Sequence, residues 1–552
     1  MGAENSTEAK RVPRVETAGQ EEAGRGSERT RSQSALDSPT RFRLPDGFDR
    51  AQIGATLAKR YTIRAEATLI GSWTIYDTFD WRLSGQSLTL QWSGGDLVLR
   101  GLSDGEVLHR CPLASPPGFA WDLPEGPLRK QVSSIIEVRG LIELVTAHTW
   151  SSAFRVLNKD EKTVARLVWD EVRPTASEEG PPFESYLTVL PLRGYGRQAR
   201  RISTILRKKL TVASRKETVF YSAFRAFGQT PNTYSGKLRV RLSPKLPAGE
   251  ATRVILRQLL EIMRANEPGI KADLDIEYLH DYRVAVRKSR SALSQLQGVF
   301  PESKTEHYKR KLGALGKLTN DLRDLDVFLL AEAYYRSILP PALKDDIAPL
   351  VDHLRAFRAK ALSTVTEGLE AKGYSRILKD WYGFLHKPAT AKSAAKGGVP
   401  IINLARKRIY RRYCRIVRSG TEILNHTEDE LLHDLRIECK KLRYLLEFFA
   451  SLFPPKQMNR ITSQLKRLQN CLGEFTDLSV QQHYLLSIAE GLNLEERQAR
   501  RVLVATGFLV ETMARKQMDI KARFAGIFRE FASPAHQKQC QLLFARKKGD
   551  ES

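Results

Sequence analysis

The sequence predicts a multidomain α+β protein in which an N-terminal antiparallel β-barrel precedes an all-α C-terminal half made of two duplicated four-helix bundles. Short β-rich segments broken by Gly, Asp and Pro fill the first part of the chain, and long amphipathic patterns fill the second. A stretch near residue 280 recurs without a gap near residue 433. At 552 residues, the chain is also too long for one hydrophobic core.

The composition points to an anionic partner. The chain has 89 Lys and Arg against 63 Asp and Glu, a net charge of +26. Such a surplus is typical of proteins that bind nucleic acid, an anionic membrane surface or a free polyanion. The mean hydropathy is −0.37 and no stretch is long and apolar enough for a lipid span, so we expect no membrane-spanning segment.

The N-terminus and the cysteines predict the compartment. The N-terminus has no apolar run of the kind that a secretory signal needs. The five cysteines are widely spaced and contain no CxxC pair, which is typical of reduced thiols. We therefore expect a cytoplasmic protein.

The composition changes along the chain at several points. Residues 1–39 are rich in Glu, Arg, Ser and Thr and predict a disordered tail, because they hold too little apolar surface to offset the entropy of ordering. Six of the seven tryptophans precede residue 170, which sets the barrel apart. The other predicted segments are a barrel domain at 40–235, a linker at 236–250, a first bundle at 251–388, a second linker at 389–400 and a second bundle at 401–545.

An internal repeat divides the helical half. The stretch LHDYRVAVRKSRSALSQLQGVFP at 279–301 aligns with LHDLRIECKKLRYLLEFFASLFP at 432–454, at an offset of 153 residues. The same offset places Asp324 on Asp477, and either aspartate could position a cation of the site or form a simple salt bridge. A period this long does not suit a solenoid, so each copy is predicted to be a bundle of about four helices.

Each copy carries cations along one helical face. Residues spaced by three and four share a face, and no acid interrupts either row, whereas a solubilising face normally mixes both signs. The residue types agree between the copies while their neighbours differ, which favours a binding face over a solvated one. The first stripe is His280, Arg283, Arg287 and Arg290, and the second stripe is His433, Arg436, Lys440 and Arg443.

Further cations extend these faces. Arginine makes paired, charge-assisted hydrogen bonds to phosphate, and several in a row suit a chain of phosphates better than one small ligand. The faces lack base-reading polar residues and aromatic stacking platforms, so nucleic acid is an open but less favoured partner. Each copy has one motif histidine without a second ligand at metal-binding spacing, so we expect no metal. The additional predicted contacts are Arg253, Arg257, Lys309, Arg411, Arg412, Arg415 and Lys466.

Around the stripes, the sequence resembles the CHAD family, the conserved-histidine α-helical domain. Its signature is similar to VHDLRVAxRRLR followed by LGxxRDLD, and the likeness extends over about 251–545. The chain departs from the pattern at Ser289, where the family favours Leu, and at Thr319-Asn320, where it favours Leu-Gly. The resemblance implies two four-helix bundles around a basic cavity that binds inorganic polyphosphate, without catalysis and without a cofactor.

The region 40–235 resembles a degenerate CYTH domain, a triphosphate tunnel barrel. The matching elements are RFRLPDGF at 41–48, YDTFDWRL at 76–83 and ARLVWDEV at 165–172. A tunnel enzyme needs an ExExK strand and a final ExE strand for its divalent ions. Here those places read DSPTR at 37–41 and YLTVL at 186–190, and the LRxR strand reads LTLQW at 88–92. We therefore expect the barrel to lack metal-dependent catalysis.

The sequence thus predicts non-catalytic binding of inorganic polyphosphate, in the cytoplasm and with polyphosphate granules as one further location. Two alternatives stay open. The first is a divalent-metal-dependent inorganic triphosphatase of the CYTH type, which would use Mg²⁺ or Mn²⁺. The second is nonspecific binding of nucleic acid through the same cations.

Overall fold

The chain forms two compact units, residues 1–233 and 234–552, and each is described by itself. The computed structural model describes residues 39–45, 47–175, 181–209, 218–387, 394–425, 428–490 and 497–545. Nearly all of the predicted disordered tail, and the first residues of the predicted linker at 389–400, lie outside these ranges. The predicted linker at 236–250 falls within the second unit, whose first helix begins at Ala248.

The first unit contains an antiparallel sheet of eight strands in the described residues. Neighbouring strands follow the order β1-β8-β7-β6-β2-β3-β4-β5, which confirms the predicted antiparallel layout. The strands are β1 (Thr40–Arg43), β2 (Thr62–Asp77), β3 (Leu88–Ser93), β4 (Asp96–Gly101), β5 (Val107–Pro112), β6 (Ile142–Leu157), β7 (Thr163–Arg173) and β8 (Glu184–Pro191).

The sheet is strongly curved. One residue from each of seven consecutive strands, from β1 to β4 in the sheet order, lines a single cavity of about 530 Å³, which we call the sheet cavity. In a flat sheet, β1 and β4 would lie about 29 Å apart at the usual strand spacing. Within the described residues β1 and β5 do not pair with each other, so closure into a barrel stays a prediction. The seven residues are Arg41, Tyr186, Val172, Thr149, Trp73, Gln91 and Arg100.

Helices cover parts of this sheet and complete its core. The rings of Phe220 and Phe224 pack edge-on against Trp73 and Trp81, with centroids 6.1 and 5.5 Å apart. Edge-to-face packing of buried rings adds to the hydrophobic stabilisation. The helices of this unit are α1 (Ala51–Leu57), α2 (Pro127–Ile136), α3 (Gly196–Lys209) and α4 (Val219–Ala226).

The YDTFDWRL motif shapes the turn after β2. The buried Asp77 carboxylate accepts hydrogen bonds from the backbone N–H groups of Leu83 and Ser84, both at 2.9 Å. Arg82 donates from Nε to Asp80 at 3.0 Å. Because a buried carboxylate must be compensated by hydrogen bonds, this turn depends on Asp77. The motif therefore has a structural role here.

The second unit is helical throughout its regular elements. Among the described helices, none combines the length and the apolar character needed to cross a bilayer. The helices are α5 (Ala248–Lys271), α6 (Ile276–Gln295), α7 (Glu302–Leu318), α8 (Asn320–Leu330), α9 (Glu332–Ile338), α10 (Ala348–Glu370), α11 (Lys372–His386), α12 (Ile401–Asn425), α13 (Asp429–Phe448), α14 (Pro455–Glu490), α15 (Arg497–Phe531) and α16 (Pro534–Phe544).

The helix bounds follow the sequence repeat at three places. Helices α12, α13 and α14 begin at 401, 429 and 455, each 153 residues after the starts of α5, α6 and α7. The halves then diverge, because the first has a break at Thr319 between α7 and α8 where α14 is continuous. In the described residues the first half has seven helices and the second has five, so neither matches the predicted four. The duplication itself stays a prediction.

The two halves of this unit pack directly on each other. Helix α6 contacts α13 through an ion pair between Lys288 Nζ and Glu447 at 2.7 Å, and Gln295 donates from Nε2 to the Lys441 carbonyl at 3.0 Å. The described end of the predicted second linker joins them further, since Gly249 N–H donates to the Gly397 carbonyl at 2.9 Å. The halves therefore form one body.

Substitution of Gly420 tests the packing of α12 against α15. A Cβ at Gly420 would overlap the ring of Phe528, whose side chain is only 1% exposed and has no space to move. We expect Gly420→Ala to lower the free energy of unfolding by about 1–3 kcal/mol, measured by denaturant titration. The matched control is Gly507→Ala on α15, where a Cβ meets nothing within 4 Å. That variant should gain up to about 1 kcal/mol, and equal effects of the two substitutions would contradict this packing.

Candidate functional site

Helix α6 positions the first stripe. The Asp275 side chain accepts hydrogen bonds from the backbone N–H groups of Glu277 and Tyr278, at 2.8 and 3.2 Å, and so caps the start of the helix. Tyr282 and Val286 are buried on the side of α6 that faces the core. The burial of these two side chains fixes the rotation of α6 about its axis. Arg287 and Arg290 therefore lie on the exposed side of the helix.

Arg283 is engaged in the structure of the first half. Its guanidinium donates to the Gly316 carbonyl at 3.0 Å, to Thr319 Oγ1 at 2.7 Å and to Asn320 Oδ1 at 2.9 Å. A cation at the last carbonyls of α7 is favoured by the helix dipole. Burial lowers the pKa of Arg283, which the nearby Asp324 counteracts. Arg283 therefore joins α6 to the break between α7 and α8.

The second stripe is held differently, and the sequence explains why. At the repeat offset, Thr319 and Asn320 become Leu472 and Gly473, which have no polar side-chain atoms. Arg436 instead donates from Nη2 to Asp477 Oδ1 at 2.7 Å. The chain's departure from the family pattern at Thr319-Asn320 thus supplies ligands for an arginine, rather than affecting packing alone.

The two stripes meet near Lys440. Burial lowers the pKa of Lys440 to about 8, and the neighbouring cations Arg436 and Arg287 contribute, with Asp477 opposing them. Arg287 belongs to the first stripe and Lys440 occupies the equivalent position in the second. Cations from both halves are therefore close enough to repel one another, and the local field is positive.

Arg290 and Arg443 lie at the ends of the stripes. The Arg290 guanidinium rests against α7, where its carbon would be 3.6 Å from a Cβ at Gly313. Arg443 forms an ion pair with Glu447 at 3.3 Å, and Glu447 also pairs with Lys288. Glu447 thus neutralises part of the positive charge while it joins α6 to α13.

An arginine pocket of about 200 Å³ lies where α12 meets the C-terminal ends of α6 and α13. Ser294, one turn after Arg290 on the same helical face, lines it, so the pocket continues from the first stripe. Burial and the neighbouring Arg411 and Arg412 lower the pKa of Arg408. The lining residues are Ser294, Gln295, Gln297, Arg408, Arg411, Arg412, Arg415 and Leu445.

One acid serves several cations beside this pocket. Glu438 pairs with Arg412, accepts a hydrogen bond from Lys441 Nζ at 2.8 Å and lies 3.9 Å from Arg415. Burial acts to raise the pKa of Glu438, but the hydrogen bonds from Lys441 and Arg412 outweigh it and lower the pKa. The pattern of uninterrupted cations in the sequence does not reveal the acids that pair with them, because those acids lie on other faces of the same helix or on other helices.

Four other predicted contacts differ in their partners and in their exposure. Arg253 is only 7% exposed and its guanidinium carbon lies 5.0 Å from the centroid of the Phe300 ring, so it belongs to the core of the first half. Arg257 donates to Glu250 at 2.9 Å and to the Leu385 carbonyl at 3.0 Å. Lys309 pairs with Glu306 at 2.7 Å. Lys466 is exposed on α14.

The motif histidines differ in exposure. His280 is half-buried and His433 is exposed. Throughout the described ranges, no three His, Cys, Asp or Glu side chains come close enough together to hold a metal ion. The groups that the structure brings together are cations on α6, α12 and α13, an arrangement suited to binding an extended anion.

The family model that describes CHAD domain sequences matches residues 254–486 of this chain. Those residues form a CHAD domain. The domain contains both stripes and the arginine pocket, and the match ends before the predicted limit near 545.

Two curated proteins are similar in sequence to part of the chain. Two uncharacterized proteins of Mycobacterium tuberculosis, from strains CDC 1551 and H37Rv, are each 24% identical to this chain over 254 residues. The aligned region is 45% of this chain and 47% of each relative, so the chain spans about half the length of the curated relatives it matches.

Three solved structures are similar to parts of the chain. The CHAD domain of the plant Ricinus communis has a TM-score of 0.44 and 23% identity, covering 53% of this chain and 95% of that one. PptA from Streptomyces chartreusis has a TM-score of 0.40 and 15% identity, covering 51% and 100%. HpAC1 from Hippeastrum, a putative adenylyl cyclase with a dominant triphosphatase activity, has a TM-score of 0.24 and 15% identity, covering 36% of this chain and 99% of that one.

The lowered pKa of Lys440 predicts a pH dependence. The ammonium group is mostly charged below about pH 8 and mostly neutral above it. Affinity for a long polyphosphate chain, whose internal phosphates stay ionised, should therefore fall several-fold between about pH 7 and about pH 9. In Lys440→Arg the side chain stays charged, so this fall should disappear. Titration calorimetry at several pH values measures both proteins, and parallel curves would show that Lys440 does not contact the ligand.

Proposed function

We propose that the CHAD domain binds inorganic polyphosphate without catalysis, through the two stripes and the arginine pocket acting as one cationic surface. The observation that carries the proposal is that the contact of α6 with α13 brings cations of both halves to one side of the domain, beside the arginine pocket, with Arg287 near enough to Lys440 to affect its pKa. Repelling cations are favourable only when a ligand neutralises them, and a phosphate chain places one negative charge on each unit.

The pairing pattern indicates which cations are available to the ligand. Arg283 and Arg436 are bound by neighbouring side chains and position the helices. Arg287 and Arg290 are exposed, as are Arg411 and Arg415 of the arginine pocket. The exposed set runs along α6 and then onto α12, which suits a chain and not a compact ion.

We further propose that the two halves are copies of one module and that the N-terminal unit is a CYTH-like domain that has lost metal-dependent catalysis. The gapless sequence repeat and the recurring starts of three helices support the first statement. The second is supported by the sequence at the predicted metal positions, where Pro39, Tyr186 and Thr188 stand in place of acids and Arg41 takes the place of the ExExK lysine. We expect the protein in the cytoplasm.

Chain length distinguishes a surface from a single phosphate site. Substituting Arg287 and Arg290 by Ala in the full chain should weaken binding of long-chain polyphosphate about tenfold per arginine, because each charge-assisted contact contributes roughly 1.5–3 kcal/mol. Tripolyphosphate is too short to follow the surface from α6 onto α12, so it contacts only part of it and should lose less. The salt dependence of long-chain affinity should also become shallower, since fewer counterions are released.

The matched control for this experiment is Arg376→Ala, an exposed arginine on α11. It should leave both affinities unchanged, and circular dichroism should show full helicity in every variant. Equal losses for short and long chains would contradict a shared surface. Displacement of polyphosphate by duplex DNA at equal charge concentration would favour nucleic-acid binding instead.

The same protein should not hydrolyse tripolyphosphate. Phosphate release is measured with Mg²⁺ and with Mn²⁺, and we expect a rate no higher than in buffer. Metal-stimulated turnover of about 1 s⁻¹, a low value for an enzyme, would establish the triphosphatase alternative. A CHAD-domain variant such as Arg287→Ala should then leave that turnover in place, which would locate it in the other unit.

A further inference from the structure

The sheet cavity of the N-terminal unit has a chemistry unlike that of the stripes. Its walls combine two arginines with aromatic and aliphatic side chains, and its volume of about 530 Å³ lies in the range of small-molecule sites. The apolar part of the wall includes Trp73, Val172 and Phe220. Such a wall does not suit a polyphosphate, which carries charge and hydration along its whole length.

Arg100 is oriented toward the cavity with donor capacity to spare. Its Nε donates to Gln91 Oε1 at 3.0 Å and its Nη1 donates to the Gly105 carbonyl at 3.2 Å. Its Nη2 has no hydrogen-bond partner within the described residues, and Arg100 lines the cavity. Burial and the neighbouring Arg110 lower the pKa of Arg100, as expected for a cation that lacks a counterion.

Neutral donors lie beside this arginine. Since Gln91 accepts through Oε1, its amide nitrogen remains free to donate. Thr149 Oγ1 accepts from Trp73 Nε1 at 3.0 Å, which leaves the threonine proton for another acceptor. Asp104 also lines the rim, but its Oδ1 accepts from the Glu106 N–H at 2.9 Å and so belongs to the loop. The cavity thus offers several donors and one cation at a single place.

Arg41 supplies a second cation on the far edge strand. Its guanidinium carbon lies 4.0 Å from the centroid of the Tyr186 ring and its Nη2 lies 3.6 Å from Asp170. Asp170 offsets part of its charge, so the cavity holds fewer than two uncompensated positive charges. This suits a ligand with one or two negative charges, whereas tripolyphosphate would leave most of its charge unpaired in a partly apolar site.

We propose that the sheet cavity binds a small organic anion, a carboxylate or a phosphate monoester on a flat apolar body, without a metal ion. The anionic group contacts Arg100, Gln91 and Thr149, and the apolar body lies against Trp73 and Phe220. The proposal does not depend on polyphosphate binding by the CHAD domain.

Calorimetric titration of the full chain with benzoate and with phenyl phosphate, in EDTA, tests the proposal. We expect at least one probe to bind at millimolar concentration, and the stronger one identifies the anionic group. Arg100→Gln should weaken binding at least about tenfold. Arg41→Gln should do so too, and because that side chain is 54% exposed the variant tests the site even if Arg100→Gln does not fold.

The matched control is Arg155→Gln, a half-exposed strand arginine paired with Glu66. It should bind the probes like the unchanged protein. Binding of neither probe, binding that needs Mg²⁺, displacement of the probe by tripolyphosphate, or an unchanged affinity in Arg41→Gln would each overturn the proposal.

Discussion

The contact of α6 with α13 is the constraint on which the candidate site depends. A largely buried ion pair between Lys288 and Glu447 and a hydrogen bond from Gln295 to the Lys441 carbonyl hold the two helices together. Breaking one partner of such a pair leaves an uncompensated charge and is strongly destabilising, so the contact resists change. The stripes lie on these two helices, and the contact determines how closely their cations approach. Polar interactions that join the halves therefore also concentrate positive charge between them.

That concentration of charge is only partly relieved within the protein. Asp477, Glu438 and Glu447 each neutralise cations of the second half, and Thr319 with Asn320 takes up Arg283 in the first. Arg287 and Lys440 remain near each other, and burial, together with the neighbouring cations Arg436 and Arg287, lowers the pKa of Lys440. Under the proposed function, a bound polyphosphate would offset the repulsion between these cations. The two halves hold Arg283 and Arg436 through different partners, because the residues that follow α7 differ from those at the equivalent positions of α14.

The sequence predicted the helical half well where local periodicity decides the structure. The apolar spacing along 279–293 fixes the phase of α6, and the stripe residues follow from it. The sequence could not show that Glu438 binds Arg412 or that Asp477 binds Arg436, because these contacts join residues far apart in the chain. Arg253 was placed on a cationic face by its spacing, yet it packs on Phe300, since a helical wheel does not distinguish a polar environment from an aromatic one.

The N-terminal unit shows the same limit for β structure. Short β-rich segments broken by Gly, Asp and Pro predicted an antiparallel sheet, which the structure confirms. The curvature that brings Arg41 and Arg100 to one cavity depends on the twist accumulated over seven strands, which no single segment encodes. The YDTFDWRL motif is similar to a family element, but the contacts of Asp77 show that it organises a turn. The motif thus has a role in folding that its contacts within the turn explain.

A double-mutant cycle between Arg287 and Lys440 tests the central claim, that the two stripes form one surface. Long-chain polyphosphate affinity is measured by calorimetry for the unchanged protein, Arg287→Ala, Lys440→Ala and the double variant. If both side chains contact the same segment of ligand, the double variant should lose less binding free energy than the sum of the two single losses, by about 0.5 kcal/mol or more. Strictly additive losses would show that the stripes bind independently and would contradict the account.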